Sequence, residues 1–298
     1  MLTQIHILLT YKCTFECDHC FCYSSPNAEG TMTLENIRLI LKEAQKIGSI
    51  VWIYFEGGEP FLFYPLMLEG VMLARKKGFK VGIVTNGYWA TSEKDAEVWL
   101  RPISKLKIHD LSISDDTFHY PGGELFSKNA IKAAKKLGIP TESICIEKPN
   151  VSVDPGEGIG KGQPVTSGGA MFKGRAADKL IDGLPRVNSD ELTVCPHEDL
   201  EFPERVHVDP FGNVHLCQGI SMGNFLLKSL SEIVNEYDPH SHPICGPLIE
   251  GGPAFLAKEN NIKHDEDYVD ECHYCFSVRR QLIDHYPEYL SPRQVYGL

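Results

Sequence analysis

The stretch QIHILLTYKCTFECDHCFC, Gln4 to Cys22, decides the fold: an apolar run of β type is followed at once by Cys13, Cys17, Cys20 and Cys22. A strand that feeds a reactive loop is the unit of βα proteins, whose chemistry collects at the C-terminal rim of the strands. Outward from it, β-type runs recur as SIVWIYF (49–55), FKVGIVT (79–85), DLSIS (110–114) and ESICIE (142–147), separated by segments with helical spacing. Such alternation predicts parallel βα units. In LENIRLILKEAQKIG (34–48), Leu34, Ile37, Ile40, Leu41, Ala44 and Ile47 form one stripe, with Thr33 as N-cap and Gly48 as the stop. FSKNAIKAAKKLG (126–138) repeats that logic.

Five units fit before Pro149, and a sixth strand is expected in VTSGGAMFKGRA (165–176), beyond the loop KPNVSVDPGEGIGKGQP (148–164). GEGIGKG within that loop lacks the G-x-x-x-x-G-K-[ST] spacing of a phosphate loop and reads as a flexible connection. The expected fold is α/β: a partial (βα)6 TIM-like barrel over residues 1–185. A small C-terminal domain over 186–298 follows. There RVHVDPFGNVHLC (205–217) reads as a hairpin, LLKSLSEIVNEY (226–237) contains a helix, and a cysteine pair comes near the end.

With 298 residues and 42% hydrophobic content the chain can bury a proper core. A net charge of -11 with dispersed Lys and Arg argues against a nucleic-acid partner. No apolar run approaches the roughly 18 to 20 residues of a membrane span, and no basic leader with a cleavage site precedes the first strand. A cytoplasmic protein is expected. Ten cysteines would suit a disulfide framework in a short secreted chain; here thiolates for metal are the better reading.

Cys13, Cys17 and Cys20 give C-x-x-x-C-x-x-C. Three thiolates hold three irons of a cubane cluster and leave the fourth open to a small chelating molecule. On this triplet the chain resembles the radical SAM superfamily. The resemblance extends to FEGGEP (55–60) after the second strand, VTNG (84–87) after the third and LSISDD (111–116) after the fourth. It implies a SAM-binding 4Fe-4S cluster, with Gly57, Gly58, Glu59 and Pro60 at the amino group of S-adenosylmethionine (SAM). It also implies Thr85 and Asn86 near the ribose or carboxylate, and Ser112, Ser114 and Asp115 near the ribose hydroxyls. His19, Phe21 and Tyr23 read as cofactor packing. Cys22 lies outside the triplet and reads as a small buried hydrophobe or a substrate-contacting thiol. A zinc site would use four ligands in a closed tetrahedron, and it does not explain the three downstream motifs.

Cys195, Cys217 and the pair Cys272 and Cys275 form a second group, with Cys245 as a competing ligand. A hairpin plus C-x-x-C resembles the twitch domain, a truncated relative of SPASM, and GRA (174–176) resembles the junction that precedes it. That likeness implies an auxiliary 4Fe-4S cluster; structural zinc is the alternative.

The resemblance implies reductive cleavage of SAM to a 5'-deoxyadenosyl radical that abstracts hydrogen from substrate, with oxidation through the auxiliary cluster. The electron would come from a donor such as flavodoxin or ferredoxin. The first strand begins near residue 4 and leaves no room for a leader-gripping domain, so a small metabolite or an amino-acid side chain is the expected substrate. The alternatives are a peptide or protein maturase and a non-catalytic iron–sulfur or zinc protein. Polar candidates for substrate contact are Asp116, His119, Glu147 and Lys148.

Overall fold

A computed structural model describes residues 1–153, 162 and 164–298; apart from Gly162, the GEGIGKG segment lies outside the described residues. Five strands run side by side in chain order, each parallel to the next: β1 (Gln4–Thr10), β2 (Trp52–Gly57), β3 (Lys80–Thr85), β4 (Asp110–Ser114) and β5 (Thr141–Ile144). The crossovers carry α1 (Leu34–Ile47), α2 (Tyr64–Lys76), α3 (Glu93–Lys105) and α4 (Phe126–Lys136). In α1, Thr33 accepts a hydrogen bond from the Asn36 amide, and the left-handed Gly48 closes the helix by donating its own amide to the Ala44 carbonyl.

Side chains alternate across a strand, and here the alternation separates two environments. Ile5, Ile7, Ile53, Phe55, Val81, Ile83, Leu111 and Ile113 are fully buried in the core. The opposite face presents His6, Tyr54, Glu56, Val84 and Ser112 to an internal lumen. One face therefore supplies stability and the other is free for chemistry.

The sixth strand is not where the sequence spacing put it. Pro164–Ser167 (β7) pairs antiparallel with Asn150–Val153 (β6) in a separate two-stranded ribbon. Val151, Val153 and Val165 all stay exposed, so the ribbon offers no apolar face to dock on the sheet. The sixth parallel member is instead β9 (Arg205–Val208), which lies beside β1 with Ile5 opposite Val206 and His6 opposite His207. β10 (Asn213–Cys217) and β11 (Ile220–Asn224) extend it antiparallel, so the order is β11-β10-β9-β1-β2-β3-β4-β5. The sheet thus spans both sides of position 185.

The 205–217 hairpin forms as read, its turn held by Asp209, whose carboxylate accepts the amides of Phe211 and Asn213. Short α5 (Ala176–Lys179) and β8 (Val187–Asn188) precede it, and β8 pairs with β12 (Asp267–Tyr268). α6 (Leu230–Glu236) starts in a capping box of Ser229 and Glu232, and Ser231 donates to Glu43 of α1 at 2.6 Å. α7 (Cys245–Glu259) bends at Gly251 and Gly252, and α8 (Glu271–Leu282), capped by Asp270, carries Cys272 and Cys275 in its first turns.

Candidate active site at the barrel rim

Cys13, Cys17 and Cys20 follow the C-terminal end of β1 and line one cavity of about 240 Å³. Their loop is held from within and from afar. The Cys13 amide donates to the Ser25 carbonyl at 3.0 Å, and the Cys20 amide to the Cys17 carbonyl at 3.1 Å. Arg175 is buried and spends its guanidinium on the carbonyls of Cys17 and Ser24, both at 2.8 Å. Gly174 lies so close beneath the loop that a Cβ there would stand 2.5 Å from the Phe21 Cα. The GRA segment is therefore the clamp on the cysteine loop.

Three N–H groups aim at these sulfurs: Phe15 N to Cys13 Sγ and Ser24 N to Cys20 Sγ, both at 3.4 Å, and Asn86 Nδ2 to Cys13 Sγ at 3.6 Å. Burial pushes the Cys13 thiol up to about 11 and raises Cys17 as well, with the neighbouring thiols adding to it. Converging buried thiols with donors aimed at sulfur are a donor set suited to iron, whose charge replaces the protons.

Gly57 and Gly58 press on the start of this loop. The Gly58 amide donates to the Thr10 carbonyl at 2.7 Å, and a Cβ on Gly58 would lie 2.1 Å from the Lys12 carbonyl oxygen. Both glycines line the cavity, whereas Glu59 and Pro60 do not. The Glu59 carboxylate is fully buried and accepts from Phe61 N at 2.9 Å, Thr85 Oγ1 at 2.8 Å and Asn86 N at 2.7 Å. It ties the end of β2 to the end of β3. Burial lifts it to about 7, against the pull of those three donors.

Thr85, Asn86 and Ser114 stand on the cavity wall. Ser112 donates to Asp110 at 2.8 Å and faces the lumen, and Asp115 accepts from Ser127 at 2.6 Å. Neither lines the rim cavity. His19 and Phe21 do line it, together with Cys22, while Tyr23 turns away and bonds Asp178. Of the polar substrate candidates, His119 reaches the cavity, held by Asp116 at 2.8 Å; Asp116, Glu147 and Lys148 line a separate hollow. Glu56, Ile144, Ile146 and Met171 were not legible as site residues. Glu56 had a signal, because it immediately precedes Gly57 on a strand whose alternate residues face inward.

The second group converges too. Cys195, Cys217, Cys272 and Cys275 line one small space of about 20 Å³. Cys245 does not: it is buried outside that space, near Tyr237, whose hydroxyl donates to the Leu200 carbonyl at 2.7 Å. Two buried cations face the four sulfurs. Lys173 donates to Cys217 Sγ at 3.3 Å, and Arg279 stands beside Cys275, with further bonds to the Gln218 carbonyl and Tyr296. Lys173 lines both this space and the lumen.

A cysteine triplet at a βα rim, stapled to a Gly-Gly-Glu-Pro turn, defines a class. The chain belongs to the radical SAM superfamily, whose family profile, described as Radical SAM superfamily, matches residues 7–150. It is 32% identical over 259 residues to the putative peptide biosynthesis protein YydG of Bacillus subtilis (strain 168), covering 86% of this chain and 73% of that protein. It is 28% identical over 159 residues to the tungsten-containing aldehyde ferredoxin oxidoreductase cofactor-modifying protein of Pyrococcus furiosus, over 51% of this chain and 43% of that one. Among solved structures, BtrN in complex with AdoMet and 2-DOIA shares the fold, with a TM-score of 0.53 at 16% identity over 78% of this chain and 82% of that one. Among the described residues no helix is long and apolar enough to cross a membrane.

Proposed function

We propose that this protein cleaves SAM reductively at a 4Fe-4S cluster held by Cys13, Cys17 and Cys20, and that the 5'-deoxyadenosyl radical removes hydrogen from a peptide substrate. The observation that carries the first half is the convergence of the three thiols with Gly57, Gly58, Thr85, Asn86 and Ser114 around one cavity. The peptide reading replaces the small-metabolite expectation; its support is the similarity to YydG over most of the chain.

When bound, the cluster supplies the electron that breaks a carbon–sulfur bond of SAM, and a flavodoxin or ferredoxin is the donor class that would refill it. The residues do the rest. Three thiolates leave one iron position free. Gly57 and Gly58 would present bare backbone to the SAM amino group, and Ser114, on the same cavity wall, would lie at the ribose. Glu59 acts as a positioning residue: its carboxylate holds Thr85 and Asn86 without itself lining the cavity. Phe21, Ile144, Ile146 and Met171 make the cavity largely apolar, which excludes water and stray hydrogen donors from a radical.

An auxiliary 4Fe-4S cluster on Cys195, Cys217, Cys272 and Cys275 completes the proposal. Four thiolates around such a cluster leave net negative charge, which buried Lys173 and Arg279 offset. A fully ligated cluster there suits the removal of an electron from the substrate.

The test is anaerobic reconstitution with iron and sulfide, followed by assay of 5'-deoxyadenosine. Eight irons per chain, or about that, and reductant-dependent SAM cleavage are expected. Cleavage stimulated by a cellular peptide fraction, with a mass change in one peptide, is the expected second result. Stimulation by the deproteinised metabolite fraction alone would return the substrate to the small-molecule class. Zinc at the second cysteine group would remove the electron-acceptor role.

A further inference from the structure

The lumen carries a cluster that neither cysteine group uses. His6 and His207 are direct register partners on β1 and β9, and Glu56 lies two residues past Tyr54, the β2 partner of His6. The period of two turns all three toward the lumen. Glu56 Oε2 lies 3.0 Å from His6 Nδ1, and Glu56 Oε1 lies 3.3 Å from His207 Nε2. One donor atom from each falls within 4.8 Å of the others.

We infer that His6, Glu56 and His207 form a binding site for one divalent transition-metal ion in the lumen. Two imidazoles and a carboxylate on one side of an ion suit zinc, iron, manganese or cobalt and leave open positions opposite. Those positions face a cavity of about 840 Å³. The far nitrogen of His6, Nε2, lies 3.4 Å from Gln4 Oε1, an acceptor. A neutral His6 that donates there turns the lone pair of Nδ1 on the Glu56 carboxylate. Two acceptors at 3.0 Å repel, and a cation between them removes the conflict. The ring is also fixed by stacking on Tyr54 at 4.6 Å.

A second feature points to a ligand in the same space. Gln218 lines the lumen, is buried, and neither its amide oxygen nor its nitrogen has a hydrogen-bond partner among the described residues. A buried amide with both ends unspent is costly unless something in the cavity meets it. Water or another ligand on the open positions of the ion would do so. Arg205 and the Lys173–Glu198 pair also line this cavity, as do Asp110 and Glu142. A His6 that donates from Nδ1 to Glu56, with the Gln4 amide turned to donate to Nε2, satisfies both contacts without metal, and the experiment separates the two.

Mn²⁺ is the probe, because it is hard and avoids thiolates, so the cysteine groups do not compete for it. The reconstituted full chain, oxidised so that its clusters are spin-silent, is titrated with Mn²⁺ to millimolar concentration and followed by electron paramagnetic resonance. One tightly held ion per chain is expected, with nitrogen couplings of coordinated imidazole in the pulsed spectrum. The His6→Gln/His207→Gln double variant should lose that ion, and Glu56→Gln should weaken it at least tenfold. His109→Gln, a lumen residue outside the cluster, should bind as the parent does, and circular dichroism checks that each variant is folded. No bound Mn²⁺, a bound ion without imidazole coupling, or full retention in the folded double variant would each overturn the inference. The first of these would leave His6 as a hydrogen-bond donor to Glu56.

Discussion

The two cysteine groups are built in opposite ways. At the rim, three thiols sit on one short loop and open on a cavity of about 240 Å³. In the C-terminal region four thiols arrive from a loop, a strand and the first turns of a helix, and line a space of about 20 Å³. The first arrangement leaves room beside the sulfurs; the second leaves little. On the proposed function, the roomier site would take a reacting molecule beside its sulfurs, and the tighter one would hold or exchange charge.

The largest test of that contrast removes one group at a time. Replacing Cys13, Cys17 and Cys20 by Ala is expected to abolish SAM cleavage and to remove about four irons from about eight. Replacing Cys272 and Cys275 by Ser should remove a similar amount of iron yet keep reductive SAM cleavage without substrate, while product formation is lost. Loss of SAM cleavage in that second variant would mean that the two groups are not separable.

Next in size is the clamp on the rim loop. Arg175→Met takes the guanidinium away from the carbonyls of Cys17 and Ser24 and leaves the Cys17 carbonyl only the Cys20 amide, a cost of about 2 kcal/mol in stability. Chemical denaturation measures it, and the iron count should fall at the rim only. An unchanged midpoint would show that the loop does not need the clamp.

The smallest effect concerns Glu59. Burial raises its carboxyl to about 7, so the stability tied to its protonated form is fully present below the ordinary carboxyl range and is lost as pH rises through about 7. Glu59→Gln, neutral throughout, should flatten that fall across neutral pH in urea midpoints. A slope equal to that of the parent would place the titration elsewhere. The same variant should keep measurable SAM binding, because Gly57 and Gly58 rather than the carboxylate line the cavity.

Much of this was legible in the sequence where the signal was local. The five strands appear within a few residues of their runs, α1 has the expected caps, and the rim triplet lies where a βα loop should carry it. Cys195, Cys217, Cys272 and Cys275 line one cavity, and Cys245 does not line it. Local signals failed where a segment had to choose between partners. At the start of the run 165–176 the strand part, Pro164–Ser167, buries no face, so it pairs with β6 in a separate ribbon instead of joining the sheet. Ser112 and Asp115 sit in the expected motif, yet alternation and a local partner turn them from the rim cavity.

By itself the sequence determined the βα repeat, the position of the triplet after β1 and the glycines that let β2 close on it, because periodicity, caps and close spacing act over a few residues. Only the tertiary structure decided that β9 lies beside β1, that Arg175 reaches back to the cysteine loop, and that Glu59 binds backbone and a hydroxyl rather than facing the cavity. Those contacts join residues far apart in the chain. Their energy comes from burial and from satisfying polar groups across strands, and neither leaves a pattern in the local spacing of side chains.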